Sequence, residues 1–351
     1  QTFDKIYVLD LHGNAKKKEV SPDGSLDKNV FDIQQGVAIV IAVKHKGLNE
    51  KCHVFRDDIW GIRTVKYNEL ELRKVSGHIC HPFHPYYFFN FMKFSEYKTY
   101  ANGFGVGELF ISYSSGFVTA RDSINISFSP AEARDNLKFL LERNDGEVRA
   151  HFGFEKDSRD WTIQTARADA SNINIDEKIQ ICSYRPFDQR YTVYTGISRG
   201  LYSSPQPSVQ RQLISEDNFA INCSKTNGET GRVNVYATSK ITDFHIVGGS
   251  ANTFPLYLYP AEDELDQTRK VNFDPGLYAK IRKLATHPDH GEPDEVAVFD
   301  YIYGVLHSPE YRETFAEFLK IDFPRIPWPA SPEVFWHVRE KGEALRRLHL
   351  M

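Results

Sequence analysis

Four side chains able to bind zinc crowd one short window of the sequence: His78, Cys80, His81 and His84 in GHICHPFHPYY. Imidazole nitrogens and thiolates are zinc ligands, but structural zinc sites space them in recurring sets that this window does not match, and His81 and His84 each precede a proline. The window therefore reads as a packed aromatic and histidine hinge, with a metal-dependent hydrolase only a third reading. HPDH (287–290) sits among acidic residues and reads as a solvated connector. The Gly-rich NGFGVGE (102–108) follows aromatic and charged residues instead of an aliphatic strand, so it is not expected to cradle a cofactor. No GxxxxGK[ST] phosphate loop and no convincing acidic nuclease triad occur.

Two polar loops offer a different chemistry. CSKTNGETGRVN (223–234) carries Lys225, Asn227, Glu229, Arg232 and Asn234, and YTGISRGLYSSPQPSVQRQ (194–212) carries Arg199, Gln206, Gln210 and Arg211. Lysine and arginine neutralise phosphates, whereas arginine, asparagine and glutamine hydrogen-bond to base edges. The plain alternative for any one of these residues is ordinary surface polarity. In YRPFDQRY, Arg185 and Arg190 flank Asp188, and such a pair beside aromatics could brace the fold or bind phosphate. Arg121 in TARD, and Lys240, Asp243 and His245 in SKITDFH, lie in two of the family-like strings given below, and that resemblance implies scaffold or backbone contacts sooner than base reading.

These groups need a rigid body to hold them. The chain has 351 residues, 41% hydrophobic and 13% aromatic, enough for two domains with a substantial core. No apolar stretch approaches the ~20 residues of a membrane helix, and QTFDKIYVLD lacks the layout of a secretory signal, so a cytoplasmic protein with no membrane partner is expected. Cys52, Cys80, Cys182 and Cys223 are far apart, without a CxxC pair, and read as reduced structural thiols. The net charge is -4, but it is unevenly spread. Residues 185–245 hold seven Lys/Arg against five Asp/Glu, and residues 261–351 hold twelve against seventeen, so a polyanion should meet the middle of the chain.

The patterning predicts an α/β (α+β) fold. KIYVLDL (5–11), GVAIVIAVK (36–44) and the more alternating CHVFRDDIWGIRTVK (52–66) are strand candidates. The unbroken apolar run from Gly36 to Val43 suits a strand covered on both faces, as in α/β sheets, with its partner strands expected N-terminal to Gln1. A boundary falls near 76–90, which divides the chain into 1–80 and 81–351. GFVTARDSINISFS (116–129) alternates like a strand. SPAEARDNLKFLLERND starts a helix, with Ser129 as cap, Pro130 at the first position and Glu132 completing a capping box. After this mixed entry region (81–180), residues 181–260 read as short strands joined by polar loops. Residues 261–351 read as helical, in four segments: DPGLYAKIRKLATH, EVAVFDYIYGVLH, SPEYRETFAEFLK and SPEVFWHVREKGEALRRLHLM.

Eight strings, in order, resemble the C-terminal part of the single-polypeptide type I (type ISP) restriction–modification enzymes: LDLHGN, FDIQQGVAIVIAVK, WGIRTVKYNEL, SGFVTARD, YRPFDQRY, SKITDFHI, FPLYLYP and YIYGVLHSPEYRETFAEFLKIDFPRIPWP. The resemblance spans nearly the whole chain. It implies a bacterial parent enzyme combining a nuclease, an ATP-driven translocase, an adenine-N6 DNA methyltransferase and a target recognition domain. Residues 1–80 would then be the closing strands of the methyltransferase sheet and 81–351 the recognition domain. Its partners would be double-stranded DNA and the methyltransferase and translocase domains of the same polypeptide. S-adenosylmethionine, ATP and Mg belong to that parent; no cofactor, metal or catalytic residue is expected here, since the chain has no Pro-Pro pair for the adenine-holding loop. The alternative is a protein-docking domain of the same assembly with incidental DNA contact, motivated by the acidic, aromatic-rich C-terminal third.

Overall fold

The structure, a computed structural model, describes residues 2–45, 51–72, 77–82, 87–89, 94–214, 217–226, 234–261 and 264–351. His84, Asn227, Glu229 and Arg232 lie outside the described residues. The chain is an α/β protein that divides into two compact units, 1–101 and 102–351, a division C-terminal to the 76–90 window.

In the first unit, β1 (Lys5–Asp10), β2 (Ala38–Val43), β3 (His53–Asp58) and β4 (His78–Cys80) form one sheet in the order β2-β1-β3-β4. β1 and β3 are parallel, with Asp10 opposite Asp58, and the outer strands run antiparallel to their neighbours. The third strand candidate ends early: β3 stops at Asp58 and a helix takes over at Arg63–Leu72. That helix is pinned by Lys66, wholly buried, whose ammonium meets Asp27 at 2.7 Å and donates to the carbonyls of Leu11 and Lys28 at 2.6 and 2.7 Å. The expectation of two covered faces for β2 is not met among the described residues. β2 is an edge strand, and Ile39, Val40 and Ile41 are exposed on both of its faces.

The second unit carries β5 (Phe104–Gly105), β6 (Ser114–Ser115), β7 (Ile179–Arg185), β8 (Asp188–Val193), β9 (Ala220–Ser224), β10 (Val235–Thr238), β11 (Ile241–Thr242), β12 (Ala251–Pro255), β13 (Tyr257–Leu258), β14 (Lys270–Val271) and β15 (Arg325–Ile326). They assemble as β10-β9-β12-β6, β11-β7-β8 and two short pairs. β9 is buried at every residue, and its Asn222 is satisfied sideways: the amide donates to Tyr236 O at 3.2 Å and its oxygen accepts from Thr253 Oγ1 at 2.8 Å. The helix Pro130–Glu142 starts where the cap predicts, Ser129 Oγ accepting from Glu132 N at 3.1 Å. Glu132 reaches one residue further back than a capping box requires and accepts from Phe128 N at 2.7 Å. Its Ala133, Leu137 and Leu140 face a core with Phe117, Trp161 and Tyr202. The strand expected over 116–129 is confined to isolated bridges at Phe117, Val118 and Ser127, because Asp122 starts a helical turn to Asn125. SPEYRETFAEFLK likewise forms two short helices, Pro309–Thr314 and Ala316–Leu319, instead of one.

The helices Glu295–His307 and Pro332–His349 cross so closely that only glycine fits. A Cβ on Gly342 would lie 1.8 Å from Asp300 O, and one on Gly304 would lie 2.6 Å from Val338 O. Beside the crossing, Arg346 donates to the fully buried Asp300 through Nε at 2.6 Å and Nη2 at 3.0 Å. Burial holds the Asp300 carboxyl above its ordinary range even against that guanidinium.

Two outcomes follow from this packing. Gly342→Ala has no room for its methyl group and should lower the unfolding free energy in urea by about 3 kcal/mol. Burial, helped by Arg312 and His349, lowers the His307 pKa to about 4. Below the ordinary imidazole range the unfolded chain takes up a proton that the folded chain refuses. Stability should therefore fall as pH drops from about 6.5 toward 4, by up to about 3 kcal/mol from this group, and His307→Gln should flatten that part of the pH–stability curve.

Candidate nucleic-acid interface

The cationic side chains of the second unit divide by what already holds them. Arg121 donates to Ala120 O at 2.8 Å and Lys156 O at 2.7 Å, with its guanidinium over the rings of Phe154 and Trp161. Arg185 donates to the buried Asp243 at 2.7 Å and to Tyr184 O at 2.5 Å, and lies 3.8 Å over the Tyr184 ring. Asp243 also caps a turn by accepting from His245 N at 2.7 Å. Burial raises its carboxyl above the ordinary range, against the pull of the His245 amide and Arg185. Arg190 forks onto Asp188 at 2.5 and 2.9 Å and stacks on Phe128 at 3.7 Å. That hydrogen-bonded pair holds the Asp188 carboxyl below its ordinary range. For Arg185 and Arg190, left open between bracing and phosphate binding, the geometry is that of a brace: both guanidinium groups are already spent on protein carboxylates.

Gln210, named above for DNA contact, is wholly buried, and its Oε1 accepts from Thr242 N at 2.7 Å, fixing β11. It reaches no surface. The 194–212 loop carrying it is itself pinned from inside: Asp169 Oδ2 accepts from Leu201 N at 2.7 Å and Thr195 Oγ1 at 2.8 Å. Gly200 is required there, because a Cβ would lie 2.2 Å from that oxygen.

Of the candidates singled out from the sequence, four cations among the described residues remain lightly engaged. Arg199, 73% exposed and in a left-handed backbone conformation at φ +58°, has Asp160 at 3.7 Å as its ion pair among the described residues. Lys225, 60% exposed, has Asp322 at 3.7 Å. Arg211 is exposed and Lys240 half-buried, and neither has an ion pair among the described residues. Asn234 is exposed at the entry to β10. These residues come from the 194–212 segment, the two ends of the β9–β10 connection and the β10–β11 turn, which leaves their charges available to an anion in solvent. Sequence reasoning found them because loops of Gly, Ser, Asn and Thr are legible; it missed the internal use of Gln210 because an amide looks the same whether it faces water or a backbone.

Among the described residues, one group offers metal-ligating atoms close together: Asp10, His12 and Asp58, in the first unit at the carboxyl ends of β1 and β3. The position between the two carboxylates is taken by Arg56 Nη2, 2.9 Å from Asp10 and 2.7 Å from Asp58. His12 spends its ring nitrogens on Glu19 at 3.0 Å and Asp58 at 2.9 Å and stacks on Trp60. The guanidinium supplies the positive charge, and the arrangement is a structural hub. Of the sequence window first considered for zinc, Cys80 is buried on β4 while His78 and His81 are exposed. No helix among the described residues is long and apolar enough to cross a membrane.

Comparison with known proteins gives this geometry a context. No curated protein matches the chain. Among solved structures, a DrdV–DNA complex determined by cryo-electron microscopy is 24% identical with a TM-score of 0.63, over 99% of this chain and 35% of its own. A nuclease-deletion mutant of the Type ISP restriction–modification enzyme LlaGI, in complex with a DNA substrate mimic, is 21% identical with a TM-score of 0.58, over 99% of this chain and 33% of its own. The ATP-dependent Type ISP restriction–modification enzyme LlaBIII bound to DNA is 20% identical with a TM-score of 0.59, over 99% of this chain and 24% of its own. At such identities the likeness is one of fold, and the chain spans about a third or less of each of these structures. A family model covers residues 108–351, most of the chain, and by that match the chain belongs to the Type ISP C-terminal specificity domain family.

Proposed function

We propose that residues 102–351 recognise a duplex DNA target for a restriction–modification enzyme of the adenine-N6 methyltransferase type. The observation that carries the reading is the division of cations: Arg121, Arg185 and Arg190 are consumed by the scaffold, while Arg199, Arg211, Lys225 and Lys240 are left for an outside anion. Membership in a specificity-domain family supports it, as do the DNA complexes formed by proteins of the same fold. Cations position the domain on phosphates, and side chains of the 223–234 segment, Asn227, Arg232 and Asn234, read base edges.

Residues 1–80 are, in this reading, the closing strands of a methyltransferase-like domain, and S-adenosylmethionine, ATP and Mg act elsewhere in the parent polypeptide. The exposed apolar faces of β2 support that assignment, because an Ile/Val edge strand bare on both sides is a surface built to be covered. They equally favour a second reading, in which the chain chiefly docks other domains of the assembly and touches DNA in passing.

Fluorescence anisotropy against a labelled duplex separates the two. Recognition predicts micromolar, salt-sensitive binding, and each phosphate contact removed by Arg199→Ala, Arg211→Ala, Lys225→Ala or Lys240→Ala should reduce the slope of log K against log salt by about 0.9. Arg185→Ala and Arg190→Ala should instead lower thermal stability, because each leaves a carboxylate without its partner. Absence of duplex binding at low salt, or a fourfold variant that binds like the parent chain, contradicts the recognition reading and favours docking.

A further inference from the structure

The two most exposed aromatic rings among the described residues, Phe128 and Phe187, both stand at the β7–β8 hairpin, 74% and 72% exposed. They are held differently. Phe128 follows the backbone bridge of Ser127 to Tyr191, and Arg190 covers one of its faces. Phe187 sits at the hairpin tip at φ +61°, a left-handed conformation that is strained for a bulky side chain.

That conformation is locked from beneath. Phe187 N donates to Tyr236 Oη at 3.2 Å, and Tyr236 Oη donates to His349 O at 3.3 Å. The Tyr236 and His349 rings stack at 5.4 Å, and the Phe187 ring stands edge-on to both at 5.3 Å. Tyr303 fixes the platform in turn, accepting from Ala237 N at 3.0 Å and sharing a hydrogen bond with His349 Nδ1. The ring is thus preorganised while most of its surface faces water. Beyond those two rings, its neighbours along the chain are polar or small: Arg185, Pro186, Asp188 and Gln189. One ring so surrounded is far short of the apolar area that a protein–protein contact needs. It matches an apolar slot one ring thick, which is the space between two base pairs of a partly unstacked duplex step.

We propose that Phe187 is a wedge that enters the base stack of bound duplex. The proposal rests on the DNA-recognition reading and names a residue that reads deformability instead of a base edge. A wedge must open a step, so it binds best where opening costs least, and this holds without knowing the target sequence.

The test compares intact duplexes with otherwise identical ones carrying a single abasic site. The unaltered chain should bind the abasic duplex on the order of tenfold more tightly. Phe187→Ala should lose that preference with an unchanged salt slope and an unchanged circular dichroism spectrum, and Phe187→Trp should keep it. An unaltered chain indifferent to the abasic site overturns the proposal. So does a Phe187→Ala chain that retains the preference, which would leave the ring as a protein contact. If the unaltered chain binds neither duplex, the recognition reading itself fails and the wedge falls with it; an intact salt-dependent affinity without the preference removes the wedge alone.

Discussion

The contact between Asp300 and Arg346 fixes where the last helix lies, and the arrangement of the second unit depends on it. Both groups are largely withdrawn from water, so each is tolerable only because the other is there. The glycines at 304 and 342 let the two helix backbones approach closely enough for that pair to form. The end of the helix then delivers His349 to Tyr303 and Tyr236, and through them a helical layer supports strand β10 and the tip of the β7–β8 hairpin. A buried electrostatic constraint in the C-terminal third thereby sets the geometry of loops more than a hundred residues earlier.

The same economy of charge runs through the β-rich part. Asp188 and Asp243 each neutralise an arginine that sequence alone leaves ambiguous, and Asp169 holds the 194–212 loop through backbone and hydroxyl hydrogen bonds. The frame and the 194–212 loop hold each other, since Gln210 and Tyr202 of that loop are themselves buried. The candidates left at the surface, Arg199, Arg211, Lys225, Lys240 and Asn234, are cationic or amide-bearing, the side-chain types that bind phosphates and base edges.

What the sequence made legible is what local chemistry decides. Ser129-Pro130 with Glu132 announces a helix start, because a cap needs only its own next turn. The short strands from 179 to 258 show as alternation broken by Gly and Asn. The misread stretch, 116–129, fails for a tertiary reason: Asp122 is engaged by Thr119 and by Tyr184, and a hydroxyl sixty residues away is invisible to a local pattern. Gln210 fails in the same way, its amide turned inward to Thr242. β2 is the instructive case. Its composition is that of a covered strand, yet no described residue covers it.

The central claim is that DNA meets the lightly paired loops of the second unit while the helices behind them serve as frame. Hydrogen–deuterium exchange, measured with and without a short duplex, tests it most directly. The account predicts added protection around Arg199, Arg211, Lys225 and Lys240 and at the tip of the β7–β8 hairpin, with the helices 275–285 and 295–307 unchanged. Protection centred on those helices or on β2, with the loops unaltered, would contradict it.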